Sequence, residues 1–561
     1  MLLKDLRLDD IIMVMVKRKI DVRRIVVSTL LGVVFSFFMV IGSQLATNKE
    51  INFSLKTALI LVACAAAFSL VFFFLINITI KYKTDEKYRP KKLWIFLGLM
   101  AITVLFIFAM YPGNYCYDIF AQLNAYKTGY YTTHYPPLFC MLMGVIIDIG
   151  RFIYGIDEGG VVLFILFQAV ITNAVIAYII SELSSRLKNK TFHVISCLYI
   201  FLHPFIFNII ISTCHDVLFA DVFALLLFEF LKMSEDKDYF SSKKNLVKVL
   251  IFVLLMCVLR NNGFFALIPV LIVSLIVLRE KWAELFIFVL SPILLFLVLY
   301  CGLFLNLINV NRESIFHESI NIPIMQISRT MYYEGDKVWD KRINDYFSET
   351  CGWHKYVTER AISDAYKVCL KDDVLGRDPL GFVDMWAKMG AKAPNRYIEA
   401  AAMQTLTSYY PWVDYGNRSS GVFGAYIEYG VRTAPEYVGD TDVAKPEAAN
   451  KFPWLHSAIV WLFGTHRGWF KIPVLRLIWG ASFSTYLLII TVALVIYKKA
   501  KKYLVPLSFV FGMLLTVILA PVIIFRYMFP IVLATPIMFY IIVKVIGEKK
   551  ENPTHKRVGQ K

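Results

Sequence analysis

Long apolar stretches, separated by short polar connectors, make up most of this chain. An α-helix of about 17–25 apolar residues is long enough to cross the hydrocarbon core of a bilayer. The pattern predicts about twelve such spans, near residues 25–45, 56–80, 93–110, 159–181, 191–211, 217–232, 246–259, 264–279, 282–307, 472–497, 504–522 and 526–546. We therefore expect an all-α, multi-pass membrane protein.

One polar segment interrupts this pattern. Residues 309–470 are rich in Tyr, Trp, Asp, Glu and Pro, and a segment of this length can bury a core of its own. We expect it to form a mainly helical domain outside the membrane. The predicted organisation is a basic N-terminus with two leading spans (1–92), a transmembrane core (93–308), the outer domain (309–470), the last spans (471–546) and a basic tail (547–561).

Composition excludes an ordinary soluble protein, because 58% of the 561 residues are hydrophobic and the mean hydropathy is +0.60. The net charge of +17 is not a sign of nucleic-acid binding. Basic residues concentrate in the tails and in alternate short connectors, the pattern typical of cytoplasmic loops. The main clusters are Lys17-Arg18-Lys19, Arg23-Arg24, Lys81 to Lys92, Lys498-Lys499, Lys501-Lys502 and Lys549-Lys550.

These charges also predict the topology. Both the Lys81 to Lys92 loop and the Arg186 to Lys190 connector should be cytoplasmic, so an odd number of crossings must separate residues 111 and 186. The count works if residues 137–155 lie along the outer membrane surface as an amphipathic helix. Both termini are then cytoplasmic, and the predicted site residues fall at or near the outer face.

The most informative motif is the segment Y-P-G-N-Y-C-Y-D that begins at Tyr111. Pro and Gly end a helix where it leaves the membrane, and Asp118 follows closely. A carboxylate at this position could accept the proton of an attacking hydroxyl. The alternative is that Asp118 only caps the helix that follows it.

A second acid lies at the turn between two apolar runs, in the pair His215-Asp216. Helix capping is again the structural alternative, since the helix dipole favours an acid in the first turn. With Asp118, this pair could instead bind a substrate hydroxyl or a divalent cation, although the spacing matches no known metal motif. No cofactor is otherwise indicated.

Two arginines fall on the outer side, where the positive-inside bias does not explain them. They occur as Arg260-Asn261 and Arg526-Tyr527. A guanidinium binds phosphate through two parallel hydrogen bonds, so an anionic lipid is the predicted substrate. The alternative is that each arginine extends to the lipid headgroups. His134, in a rigid loop with Pro136-Pro137, is a further candidate phosphate ligand.

In combination, these motifs resemble the GT-C superfamily of membrane glycosyltransferases, nearest the protein O-mannosyltransferase and aminoarabinose-transferase branch. The shared features are an acid in the first outer loop, an H-P-P-L-like segment, a second acid, and a late R-Y-x-x-P motif. Here they are Asp118, His134 to Leu138, Asp216, and Arg526 to Pro530. The pattern P-G-x-x-x-x-D-x-x-x-Q, ending at Gln122, resembles a branch common in Gram-positive bacteria.

The resemblance implies a bacterial plasma-membrane enzyme that transfers a sugar from a polyprenyl-phosphate donor to a glycan, lipid or protein acceptor outside the cytoplasm. Asp118 would be the catalytic base, with inversion at the anomeric carbon, and Asp216 a second catalytic acid. The residues implied in substrate binding are Gln122, His134, His215, Arg260, Asn261, Arg526 and Tyr527.

Other classes stay open. A transporter or lipid flippase would also carry charged residues in the membrane, but it predicts matching broken helices in two halves of the chain. A polymerase, ligase or acyltransferase acting on glycans is the other alternative, and His203 is the candidate residue for an acyltransferase. Cys351 and Cys369 lie close together in the outer segment, and whether they pair is open.

Overall fold

The protein is described here from a computed structural model. It describes residues 21–114, 116, 118–260, 263–312, 316–349, 351, 363–367, 369–413, 452–463, 471–521 and 523–549. Throughout these ranges the regular structure is helical, apart from two three-residue strands. The prediction of an all-α membrane protein is confirmed.

The first part of the chain forms a bundle of apolar helices. These are α1 (Val22–Asn48), α2 (Leu55–Leu75), α3 (Lys92–Ala109), α4 (Ile119–Thr128), α5 (Pro137–Tyr154), α6 (Asp157–Leu187), α7 (Lys190–Leu202), α8 (Pro204–Ile210), α9 (His215–Glu235), α10 (Lys243–Leu259), α11 (Leu267–Val277) and α12 (Arg279–Leu307). Two stretches of α12, Phe286–Leu290 and Phe296–Phe304, are wound as π-helix.

The outer segment is also helical where it is described, and five more helices follow it. The outer helices are α13 (Phe316–Ser319), α14 (Asn321–Glu334), α15 (Ile343–Tyr346), α16 (Asp364–Lys367), α17 (Asp372–Arg377), α18 (Pro379–Lys392), α19 (Pro394–Gln404), α20 (Leu406–Tyr409) and α21 (Pro453–Phe463). The last helices are α22 (Pro473–Trp479), α23 (Ala481–Tyr497), α24 (Leu504–Ile518), α25 (Phe525–Leu533) and α26 (Thr535–Ile546).

Seven helices in the described ranges are long and apolar enough to cross a membrane, and up to ten if each bent pair counts as one span. The bent pairs are α7–α8 (63°), α22–α23 (68°) and α25–α26 (40°). Helix α9 covers another predicted span but carries several charges, among them Asp221 and Glu229. The count of twelve spans stays a prediction.

Helix α5, predicted to lie along the membrane surface, packs against the first turns of α6. A Cβ added at Gly150 would lie 2.6 Å from the Cα of Gly160, and the rings of Phe139 and Phe164 are 6.0 Å apart. Gln168 follows these contacts along α6. Its side-chain amide donates hydrogen bonds to the carbonyls of Ile210 and Ser212, in the loop before α9. Helix α5 is itself long and apolar enough to cross a membrane, so its position along the surface stays a prediction.

Connectors that were predicted to share the cytoplasmic face meet at one end of the bundle. Strand β1 (Ile80–Tyr82), after α2, pairs in parallel with β2 (Gly547–Lys549), after α26. The Asn189 side chain donates a hydrogen bond of 2.9 Å to the Lys83 carbonyl. The two basic connectors and the end of the last helix therefore lie on the same side of the bundle.

Sidedness itself can be measured by labelling single introduced cysteines with a membrane-impermeant maleimide in intact cells. The native cysteines are buried or half-buried, which limits background labelling. We expect labelling at the exposed positions Tyr130 and Lys388, and none at Lys87 and Lys499 until the cells are permeabilised. Labelling of Lys87 from outside would reverse the predicted topology.

The outer domain has its own core and rests on the first helix. Helices α14, α18 and α19 bury an apolar cluster that includes Ile324, Met325 and Met385. A separate cluster joins α20 to the end of α1, with Leu406 against Leu45 among its members. The first helix therefore supports the outer domain.

Candidate functional site

Two loops lie side by side at the end of the bundle that faces the outer domain. One follows α3 and the other precedes α9. The Asn114 amide donates to the Ile211 carbonyl (3.0 Å), and the Cys116 amide donates to Oγ1 of Thr213 (3.0 Å). This pairing brings the two predicted acids, nearly a hundred residues apart in sequence, into one site.

The close approach of these loops requires a glycine. Gly113 has φ of +132°, a conformation that L-residues with a side chain rarely adopt. A Cβ there would lie 1.9 Å from Cδ1 of Ile165. The glycine that ends α3 in the sequence motif is thus also the residue that lets the loop reach its neighbour.

The site itself is a row of four alternating charges. Arg526 Nη1 lies 2.7 Å from Asp118 Oδ2, and Arg526 Nε lies 3.3 Å from Asp216 Oδ2. Arg260 Nη1 lies 2.5 Å from Asp216 Oδ1. The sequence-predicted acids and arginines therefore converge, with Arg526 bridging the two carboxylates.

The ring of Tyr527 completes this row by packing beside both arginines. Its centroid is 4.8 Å from the Arg260 guanidinium carbon and 5.0 Å from that of Arg526. The arginine side chains are only 11% and 6% exposed. Because both are enclosed and paired with acids, they do not extend to lipid headgroups, and that alternative is not supported.

Asp118 occupies the N-cap position of α4, yet its side chain makes no capping hydrogen bond. Its Oδ2 instead pairs with Arg526, while its Oδ1 has no hydrogen-bond partner among the described residues. The side chain is 19% exposed. The Asp118 carboxylate is therefore paired with Arg526 and still partly accessible, and helix capping does not account for the residue.

The electrostatic surroundings keep Asp118 ionised. Burial alone would raise the pKa of its carboxyl group, but the charge and the hydrogen bond of Arg526, together with the neighbouring His215 and His134, outweigh that effect. The pKa is consequently held below its ordinary value of about 3.9. Asp118 is thus a carboxylate, and a weak base, as long as Arg526 remains beside it.

Asp216 and Arg260 have different roles from Asp118. The Asp216 side chain is fully enclosed, with a guanidinium against each oxygen, which favours orientation of the arginines over proton transfer. Arg260 uses only Nη1 on a described partner, so its Nε and Nη2 hydrogens are available within that part of the chain. An anion entering the site would meet these donors first.

His215 and Gln122 form the wall beside the acids. Nε2 of Gln122 lies 3.3 Å from Nδ1 of His215, and the His215 ring stands edge-on to Phe139 at 5.7 Å. Gln122 is fully buried, and its Oε1 has no partner in the described ranges. Both residues therefore belong to the site, as predicted.

The remaining predicted residues are less central. His134 is exposed at the rim, edge-on to the Tyr135 ring at 4.5 Å, and its charge interacts with Asp118. Asn261 lies outside the described residues. His134 is thus exposed to solvent close to Asp118.

A divalent cation finds no ready ligand set. Within the described ranges, no group of three or more His, Cys, Asp or Glu side chains is arranged to hold a metal ion. His215 Nε2 and Asp216 Oδ1 lie 3.9 Å apart, and arginines surround the carboxylates. Among the described residues, Arg260 and Arg526 supply the positive charge beside the carboxylates.

Sequence reasoning overlooked two thiols and a tyrosine. Sγ of Cys116 contacts Arg526 and hydrogen-bonds to Cys214, so both buried cysteines lie where the apolar core meets the site. The available signal was the pattern C-x-D, which precedes both acids. Burial, together with the Asp118 charge, raises the pKa of Tyr135, so this hydroxyl stays a hydrogen-bond donor beside the acid.

The helices and the enclosed charge row define a multi-pass α-helical membrane protein with a polar site at one end of its bundle. The chain belongs to DUF6020, a family of unknown function whose model matches residues 123–345 and 365–558. The second acid and both arginines lie in the matched segments, whereas Asp118 and Gln122 precede them. No curated protein and no solved structure matches the chain.

Proposed function

We propose that this protein is a glycosyltransferase of the bacterial plasma membrane. It transfers a sugar from a polyprenyl-phosphate donor to a glycan, lipid or protein acceptor outside the cytoplasm. One observation supports this above all: Asp118 pairs with Arg526 through Oδ2, and its side chain stays partly exposed. That arrangement joins a proton acceptor to a phosphate-binding cation.

The donor phosphate binds to the arginines. Arg260 has unused N–H groups, and Arg526 lies next to it across the ring of Tyr527. Two guanidiniums in a water-poor site offset the charge that develops on a departing phosphate. Because the two arginines are already paired with two acids, an arriving phosphate competes with those acids for the arginines.

That competition activates the base. When the phosphate draws Arg526 away, Asp118 loses its partner and becomes a stronger proton acceptor. The acceptor hydroxyl oxygen attacks the anomeric carbon, and its proton passes to Asp118. The bond between that carbon and the phosphate oxygen breaks, and polyprenyl phosphate leaves with the electron pair. Configuration at the anomeric carbon inverts.

Deletion of the gene offers the broadest test of this function. We expect a lipid-linked sugar to accumulate in the membrane, because its consumer is missing, and mass spectrometry of the lipid extract would identify the headgroup. A plasmid with the wild-type gene should reverse the accumulation. An unchanged profile of polyprenyl-linked lipids would argue against a polyprenyl-phosphate donor.

A transporter or flippase for a lipid-linked or anionic substrate is the second candidate. Three bent helix pairs favour it, as does Asp221, a buried acid whose Oδ2 accepts a 2.8 Å hydrogen bond from Thr172 inside the bundle. Purified protein in vesicles separates the two functions. A flippase moves the intact lipid between leaflets, whereas a transferase releases polyprenyl phosphate when an acceptor is supplied.

The other glycan-modifying enzymes have less support. An acyltransferase would need a histidine that substrate can reach, but His203 is 1% exposed. Its ring lies 5.4 Å from those of Tyr199 and Phe525, at the bend between α7 and α8. This position fits a residue that fills a helix bend. A polymerase or ligase would share the proposed site and differ in its acceptor.

A further inference from the structure

The outer domain forms hydrogen bonds with the loop that leads to Arg526. This loop, residues 519–523, joins α24 to α25, and Arg526 is the second residue of α25. Four of its carbonyls accept hydrogen bonds from the outer domain. The bonds are Asn321 Nδ2 to Leu519 O (3.0 Å), Gln404 Nε2 to Ala520 O (2.9 Å), the Ser363 amide to Pro521 O (3.1 Å) and Thr407 Oγ1 to Ile523 O (3.0 Å).

Two of these contacts form a matched pair. Gln404 and Thr407 are three residues apart, at the junction of α19 and α20, and they bind carbonyls that are also three residues apart. Ala520 and Ile523 are buried, so neither carbonyl has ready access to water as a substitute. A buried carbonyl that loses its donor is destabilised by its full desolvation penalty. These two hydrogen bonds therefore favour one conformation of the loop.

The bond at Ile523 lies nearest to the site. The next residue, Ile524, is the N-cap of α25, and its carbonyl accepts the amides of Tyr527 and Met528. The backbone that carries the Arg526 side chain is therefore continuous with the part of the loop that Thr407 holds. A shift there would change the 2.7 Å contact between Arg526 and Asp118.

We propose that Gln404 and Thr407 are positioning residues, through which the outer domain sets the orientation of Arg526. Neither residue contacts the charge row in the described structure; they act through the backbone that they bind, at Ala520 and at Ile523, which precedes Arg526. On the proposed function, which this step assumes, the consequence is that the outer domain adjusts the affinity of the site for the donor phosphate.

The test compares two threonines that lie two positions apart. Thr407→Val keeps the side-chain shape and removes the donor to Ile523 O. Thr405→Val is the matched control, because the Thr405 hydroxyl bonds to Ala401 O within its own helix. Hydrogen–deuterium exchange of the full-length protein in detergent is read at the Tyr527 and Met528 amides. Thr407→Val should exchange about tenfold faster there than Thr405→Val, and Thr407→Ser should restore the wild-type rate.

A second measurement tests whether the orientation of Arg526 affects ligand affinity. Binding of farnesyl phosphate, a short polyprenyl phosphate, should weaken about tenfold in Thr407→Val and in Gln404→Met, and remain unchanged in Thr405→Val. Equal exchange at Tyr527 and Met528 in the two valine variants would overturn the positioning role. Absence of binding by the wild type would instead count against the proposed donor, while the exchange result would still decide the positioning role.

Discussion

Replacement of Asp118 by Asn is expected to slow sugar transfer by about 10²–10⁴-fold, the usual contribution of a general base. Asparagine has the same shape and can still accept a hydrogen bond from Arg526, so the donor should still bind. It cannot take up the proton of the acceptor hydroxyl. The measurement is the rate of transfer from a polyprenyl-phosphate sugar by the purified protein, with donor binding measured in parallel.

The control is another acid of the helix bundle. Asp148, in α5, is 49% exposed and pairs with Arg151 and Tyr126, away from the charge row. Asp148→Asn should transfer sugar at the wild-type rate. Helix capping makes the opposite forecast for Asp118, because Asn caps about as well as Asp. Near-normal transfer by a folded Asp118→Asn protein would remove Asp118 as the base.

The same ion pair gives the pH dependence a definite sign. In the free protein, Arg526 holds the pKa of Asp118 below about 3.9, so the carboxylate is lost only as the pH falls through that lower value. A bound phosphate takes Arg526 away and adds a negative charge, and both changes raise this pKa. The acid limb of kcat should therefore lie at higher pH than that of kcat/KM, since kcat reports the bound complex.

The composition of the site could be predicted because its motifs stand at the ends of apolar segments that share one face. Knowing the face was enough to group Asp118, Asp216, Arg260 and Arg526. The pairing within the group could not be predicted, since both arginines carry the same charge and either could reach either acid. Arg526 bridges the acids because the loop before α25 is held by the outer domain, a contact across more than a hundred residues.

The local sequence pattern also does not predict bend angles, helix ends or the packing of the outer helices. Proline at 204 and 536 indicates where a helix can bend but not by how much, and the bends observed there are 63° and 40°. Helix α6 extends to Leu187, beyond the predicted end at 181, because a polar last turn can continue a helix outside the apolar core. The outer helices α14, α18 and α19 are defined by a core that forms only when they pack together.

Replacement of Arg526 by Lys is expected to have the second-largest effect, a loss of about 10²-fold in transfer. Loss of a preorganised donor to a developing charge typically has a cost of that size. The positive charge remains, but one ammonium group cannot reproduce contacts made through Nη1 to Asp118, Nε to Asp216 and Nη2 to Tyr527. Both kcat and farnesyl phosphate affinity should fall.

Arg260→Lys is expected to raise KM for the donor and to change kcat less, because Arg260 contacts Asp216 but is not bonded to Asp118. Arg312→Lys is the matched control. Arg312 lies outside the charge row and bonds to the Cys301 carbonyl and to Asn306. Its lysine variant should behave as the wild type does. Wild-type rates in all three lysine variants would mean that the guanidinium forks do not bind phosphate. The two enclosed arginines would then serve to hold Asp118 and Asp216 in place, and the donor would have to bind elsewhere.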